Sequence, residues 1–170
     1  MRCCMPKHYV LEQDEVHVWH GRMESAHVLR LTQVLAPDEW RKAQQFHSPR
    51  DRRCHIIGRG ILRFLIGHLL AIRPEAVRFR CNRFGKPYVS NAQNTRGVDF
   101  SVSHSADLLL IALTTNRQIG LDVERVRADL DVDCIVRSFF SASEIAEFAA
   151  MPSIAKNEAF FRGWCRKEAS

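Results

Sequence analysis

Apolar residues along the chain follow two periods, one helical and one strand-like, and these divide it into elements. Val16-His17-Val18-Trp19-His20 alternates and predicts a first strand. Residues 24–35 place Val28, Leu31, Val34 and Leu35 in an apolar stripe and predict a helix. Ala36-Pro37-Asp38-Glu39 begins another, since proline suits a first turn and acids suit its positive end. It runs to about Phe46. Ser48-Pro49 opens the longest helix, with Ser48 as N-cap, and this one continues to about Ala71. Ile57, Ile61, Phe64, Leu65 and Leu69 form its core stripe. Arg52, His55, Arg59 and Arg63 form a second stripe, which reads as a phosphate-facing or acid-facing ridge or as a solvated helix face. Gly58, Gly60 and Gly67 each weaken the helix by about 1 kcal/mol relative to alanine, which implies close backbone approaches there.

Arg73-Pro74 ends that helix. Val77–Arg80 is a short strand, Asn82–Gly85 a turn, and residues 90–97 a polar loop. The stretch from Phe100 to Glu124 then reads as three strands. In the first, Val98, Phe100 and Val102 face one way and Asp99, Ser101 and Ser103 the other. Leu108–Leu113 is a buried strand, and Thr115-Asn116-Arg117 predicts a hairpin turn. On the returning strand Leu121 and Val123 pack inward while Asp122 and Glu124 point out together, roughly 7 Å apart. Two carboxylates on one face repel; a hard cation such as Mg²⁺ would turn that cost into a site, and otherwise the face is simply solvated.

After Glu124 a polar link carries Asp129, Asp131 and Asp133 without the glycine and late glutamate of a calcium loop. Residues 135–140 form a short helix or turn. Ser141 and Glu144 have capping-box spacing and start a helix over 142–150. The last helix spans residues 153–170, with Phe160, Trp164 and Glu168 along one face. Glu168 on a packed face needs a partner, such as a cation shared with Asp122 and Glu124, unless the helix end frays into water.

With 170 residues and 46% hydrophobic content, the chain is expected to form one domain or two small half-domains around a real core. No apolar run reaches a membrane span, and MRCCMPKHYVLEQDE has no continuous apolar stretch of the secretory kind, so a cytoplasmic protein is expected. Six cysteines without a C-x-x-C pair are expected as free thiols. Cys3, Cys4 and His8 lack the regular spacing of a structural zinc site, and His17 and His20 fall on opposite strand faces. A net charge of +6 suits an anionic partner: a phosphorylated cofactor, an acidic protein or nucleic acid. Nucleic acid is disfavoured, because the aromatics sit on apolar stripes and not among basic residues.

LAPDEWRKAQQF, DRRCHIIGRGILRFLIG, FGKPYV, FSVSHS, GLDVE, FFSASE and FFRGWCRKEA, in this order and spacing, resemble the Sfp-like 4′-phosphopantetheinyl transferases. The resemblance covers nearly everything from Leu35 on. It implies an α+β fold of two similar α/β half-domains related by a pseudo-twofold axis: residues 1–115 the N-terminal half, residues 116–170 the start of a catalytic C-terminal half. It implies Mg²⁺-dependent transfer of the phosphopantetheine arm of coenzyme A to a serine of an apo acyl or peptidyl carrier protein, releasing adenosine 3′,5′-bisphosphate. Metal ligands would be Asp122, Glu124 and Glu168, with Glu168 also the general base and Lys167 beside the phosphates. Ser103 and His104 would contact the coenzyme phosphates, Lys42 would grip the 3′-phosphate, and Lys86 and Pro87 would lie along the adenine. No nucleic acid or membrane is implied as a partner. His55 departs from the small hydroxyl residue usual at its position. Family members continue beyond the KEA motif, so the second half is expected to be truncated, leaving Trp164, Phe160 and the Leu108–Leu113 strand short of cover. The alternative is an inactive remnant that binds coenzyme A or a carrier without transfer.

Overall fold

A computed structural model describes residues 10–25 and 28–169, so the Cys3, Cys4 and His8 set lies outside the described residues. Among the described residues, one strand is followed by a block of three α-helices, four strands and three more helices, a mixed α/β arrangement with small antiparallel sheets. The main sheet has three strands in the order β1 (Val16–Arg22), β5 (Leu108–Thr115), β4 (Val98–Ser105). β4 and β5 form a hairpin that turns at Ala106, whose φ is +53°. One face of this sheet is apolar. Val98, Phe100, Leu109, Ile111 and Leu113 are buried there with Ile57, Leu62, Leu65 and Ile66 of α3 (Pro49–Leu69). Each such side chain contributes about 1.5–3 kcal/mol by leaving water, more than any surface ion pair.

The long helix begins as its sequence requires: Ser48 Oγ accepts the Asp51 N–H, and Pro49 fills the first position. At Gly60 a Cβ would come within 2.6 Å of Leu31 Cβ, so α1 (Val28–Thr32) packs flush against a position without a side chain. The helix expected over 24–35 is thus short, preceded by a single 3₁₀ turn at Met23–Ser25. Helix α2 (Pro37–Gln45) runs beside α3, and a separate two-stranded sheet pairs β2 (Phe79–Cys81) with β3 (Pro87–Val89) through a turn at Gly85, φ +83°.

Three further helices, α4 (Val132–Phe139), α5 (Ala142–Ala149) and α6 (Ser153–Glu168), gather a second core of Val132, Val136, Phe148, Phe160 and Phe161. Ser141 and Glu144 close the expected capping box. Asp131, expected to be solvated, accepts the Cys134 N–H as the N-cap of α4.

Three expectations change. Arg63 belongs to no exposed or phosphate-facing ridge. It is 1% exposed, donates to Glu39 at 2.6 Å, and also donates to the carbonyls of Pro74 and Val77. The residues 120–124 do not return as a strand of the sheet. β5 is already flanked by β1 and β4, so it has no edge to offer. Nor is apolar surface laid bare to the extent expected: Phe160, Leu109 and Ile111–Leu113 are buried and Trp164 and Leu110 partly so, because α4 and α5 cover the helix and α3 and β1 the strand, while Leu108 at the strand's start is exposed. Among the described residues, the exposed large apolar side chains of that helical region are Phe139, Met151 and Ile154.

Candidate functional site

Being an edge strand, β4 presents both its faces to one cavity of about 1090 Å³. The other walls are α3 at Cys54, His55, Gly58 and Arg59, the β2–β3 turn from Asn82 to Pro87, the segment 118–122, and the end of α6 at Glu168 and Ala169. The end of α6 arrives because residue 120 is glycine: a Cβ there would collide with the Ala169 carbonyl.

The segment after β5 runs alongside β4 in the parallel sense, attached by β4 side chains and not by a backbone ladder. Asp99 Oδ2 accepts the Ile119 N–H at 2.8 Å, Ser101 Oγ the Leu121 N–H at 3.1 Å, Ser103 Oγ the Val123 N–H at 3.1 Å and Ser105 Oγ the Arg125 N–H at 2.9 Å. Every pair is separated by twenty residues. Ser103 in turn donates to Asp122 Oδ1 at 2.7 Å and Ser105 to Glu124 Oε2 at 3.0 Å. A hydroxyl has one proton to give and two lone pairs to accept with, so one serine can serve an amide and a carboxylate at once.

Asp122 Oδ2 is buried and has no hydrogen-bond partner among the described residues. A buried carboxylate oxygen without a donor is costly, and a cation removes that cost. Asp122 and Glu168 line the same cavity, whereas Glu124 lines a smaller pocket of about 340 Å³ with Arg22, Ser105 and Arg125. No group of three His, Cys, Asp or Glu side chains is gathered into a cluster that could hold a metal among the described residues. Magnesium keeps several waters and is commonly held by one or two carboxylates plus substrate phosphates, so two acids on a shared cavity fit it without a closed cage. The Cys165 thiol lies beside Asp122; burial first, then that carboxylate, pushes it up to about 11.

The basic residues divide. Lys86 lines the cavity but is engaged, with Nζ 3.1 Å from Asp99 Oδ2 and 2.9 Å from the Ile119 carbonyl. Pro87, Ser103 and His104 line it as well. His55 lies on the same wall with its Nε2 buried and unpartnered among the described residues; burial, then the charges of Arg59 and Lys42, lowers its pKa. Lys42 itself is exposed on α2 and is not part of the wall. Lys167 is also off the wall: its Nζ is 2.9 Å from Glu144 Oε2 and lies over the Phe140 ring. Glu168 is exposed at the helix end, not packed in the apolar stripe.

Sequence reasoning named Ser103 but missed Asp99, Ser101 and Ser105 as parts of this site. The signal was present: a polar residue at every second position of a strand whose other face is apolar.

Two family profiles match consecutive stretches of the chain: one described as 4′-phosphopantetheinyl transferase, N-terminal, over residues 18–116, and one described as 4′-phosphopantetheinyl transferase superfamily over residues 118–170. The chain belongs to that superfamily. Among its relatives, the 4′-phosphopantetheinyl transferase HetI of Nostoc sp. is 35% identical over 166 residues, covering 96% of this chain and 70% of HetI. The 4′-phosphopantetheinyl transferase gsp of Aneurinibacillus migulanus is 28% identical over 124 residues, 73% of this chain and 49% of that protein. The L-aminoadipate-semialdehyde dehydrogenase-phosphopantetheinyl transferase of Xenopus laevis is 25% identical over 150 residues, 82% of this chain and 49% of its own length. The matched stretch thus spans from about half of these relatives to 70% of HetI.

Proposed function

We propose that this chain transfers the 4′-phosphopantetheine arm of coenzyme A to a serine of an apo acyl or peptidyl carrier protein. The observation that carries this reading is the shared cavity, which brings Asp122, with its orphaned buried oxygen, and Glu168 to one space beside Ser103, His104 and Arg59. A cavity of about 1090 Å³ is large enough for a nucleotide-sized ligand. The family profiles and the names of the relatives support the same reaction class.

In this reading Asp122 and Glu168 would hold Mg²⁺, and Glu124, which lines the separate smaller pocket, would join them only after turning from Ser105. When bound, that ion neutralises charge on the pyrophosphate and the leaving oxygen. His104 and Ser103 contact the coenzyme phosphates, the Lys86-Pro87 turn flanks the adenine, and Lys42 reaches the 3′-phosphate from α2. Glu168 accepts the proton of the carrier serine. The serine oxygen forms a bond to the β-phosphorus, the P–O bond to the other phosphate breaks, and adenosine 3′,5′-bisphosphate leaves. Lys167 serves the phosphates only after exchanging Glu144 for them. The two half-domains divide at about residue 115, a division supported by the break between the two matched profiles and by the two separate cores. A +6 chain in the cytoplasm would attract an acidic carrier.

The engagement of Lys167 with Glu144 favours a second reading, in which the chain is a remnant that binds coenzyme A or a carrier without transfer. Intact-mass measurement of an apo carrier protein after incubation with the chain, coenzyme A and Mg²⁺ separates the two, with an EDTA control. A metal-dependent gain of one phosphopantetheine arm, lost in Glu168→Gln, supports transfer. Coenzyme binding by calorimetry with no mass gain on several carriers supports the remnant.

A further inference from the structure

The polar face of β4 is unusual in what it contacts. A strand at a sheet edge normally offers its own N–H and C=O groups to a neighbour. Here the neighbouring segment 119–125 is held by side chains. Asp99, Ser101, Ser103 and Ser105 take four alternate amides, at 2.8, 3.1, 3.1 and 2.9 Å. The lower two rungs also reach past the backbone to a carboxylate. Ser103 holds Asp122 and Ser105 holds Glu124. The first rung is bolted from outside, because Lys86 donates both to Asp99 and to the Ile119 carbonyl.

We propose that Ser101 and Ser105 are positioning residues: together with Asp99 they form a side-chain ladder that fixes the acid-bearing segment against β4 and sets where Asp122 and Glu124 point. Neither hydroxyl is a catalytic group. Ser101 acts through the Leu121 amide, and Ser105 acts through the Arg125 amide and the Glu124 carboxylate. The segment 119–127 has no helix or strand pairing of its own, so its position depends on these contacts. The ladder also accounts for the twenty-residue offset: shifting the segment by one residue would turn the amides away from the serines and the two acids to the opposite side. The consequence for transfer rests on the reading of the site given above; the consequence for the segment does not.

The test uses the full chain and the variants Ser101→Ala, Ser105→Ala, Ser101→Thr and Ser105→Thr. The primary readout is amide hydrogen exchange in a peptide covering residues 119–125, with a peptide from the centre of α3 as internal control. Each alanine variant is expected to exchange about tenfold faster over 119–125 and unchanged in α3, and each threonine variant, which keeps the hydroxyl, to restore protection. Unchanged exchange over 119–125 in both alanine variants, or threonine failing to restore it, overturns the proposal. The second readout is transfer to an apo carrier. In Ser105→Ala the Mg²⁺ concentration for half-maximal rate is expected to rise about tenfold, with the KM for coenzyme A within about twofold of the parent. A rise confined to the coenzyme KM overturns the positioning role of Ser105. If the parent chain transfers nothing, the functional reading fails, and the exchange experiment still decides the ladder.

Discussion

Lys167 Nζ lies 2.9 Å from Glu144 Oε2 and above the Phe140 ring at 4.9 Å, which ties the last turn of α6 to the first turn of α5. Glu144 is also the acid of the Ser141 capping box. The Ser141 amide first, then Lys167, holds its carboxyl down at about 2, against 4.5 ordinarily. As pH falls the unfolded chain therefore takes up this proton before the folded one does. The stabilisation is complete above 4.5 and is lost as pH falls towards 2. Glu144→Gln should flatten this part of the stability–pH curve, read from urea midpoints. Lys167→Met should flatten it less, because the Ser141 amide remains.

Arg63 and Glu39 are both buried, and Arg63 also serves two backbone carbonyls. Removing one member leaves the other charged in the core. Arg63→Met is expected to cost about 3–5 kcal/mol by chemical denaturation. Arg63→Lys should recover only part of this, since an ammonium cannot reproduce the fork that meets Glu39, Pro74 and Val77 together. Equal stability of the lysine variant and the parent would contradict the account.

His55 is held below 6.5, by burial first and by Arg59 and Lys42 next. Here too the unfolded chain binds the proton first, so stability falls as pH drops below 6.5. His55→Gln should remove that component. The melting temperature of the parent should therefore drop more than that of the variant between about pH 7.5 and about pH 5.5. Parallel curves would show that His55 does not titrate differently in the two states.

Gly120 carries no side chain where the Ala169 carbonyl passes. Gly120→Ala must displace the end of α6, at about 1–3 kcal/mol for overpacking. Since Glu168 precedes Ala169, the same displacement should move the carboxylate off the cavity wall. Transfer to the carrier should fall at least tenfold in this variant while coenzyme binding persists. Loss of stability with unchanged transfer would separate the contact from the site.

Much of the site was legible in the sequence because it sits on a strand. Alternation in Val98–Ser105 distinguished the core face from the polar face, and GLDVE put two acids on one extended segment, although Asp122 and Glu124 line different pockets. The caps at Ser48 and Ser141 were legible because they are local: donor and acceptor are three residues apart. What could not be read depends on distant partners. Nothing near Arg63 announces Glu39, twenty-four residues away, so a buried cation looked like one more member of a basic stripe. The path of residues 119–125 was misjudged because strand pairing was assumed for a segment that binds side chains. Gly120 gave no sign of Ala169, because close approach of two backbones leaves no pattern in either stretch.

β4 is read twice, once by the core through Val98 and Phe100 and once by the acid segment through Asp99, Ser101, Ser103 and Ser105. The two readings interleave residue by residue and therefore cannot be set independently. A slip of one position would bury serines against α3 and offer phenylalanine and valine to the amides of 119–125, so the misregistered chain loses its core and its site together. Proofreading of the site is thereby delegated to hydrophobic collapse: molecules that pass the first test arrive with their acids already aligned.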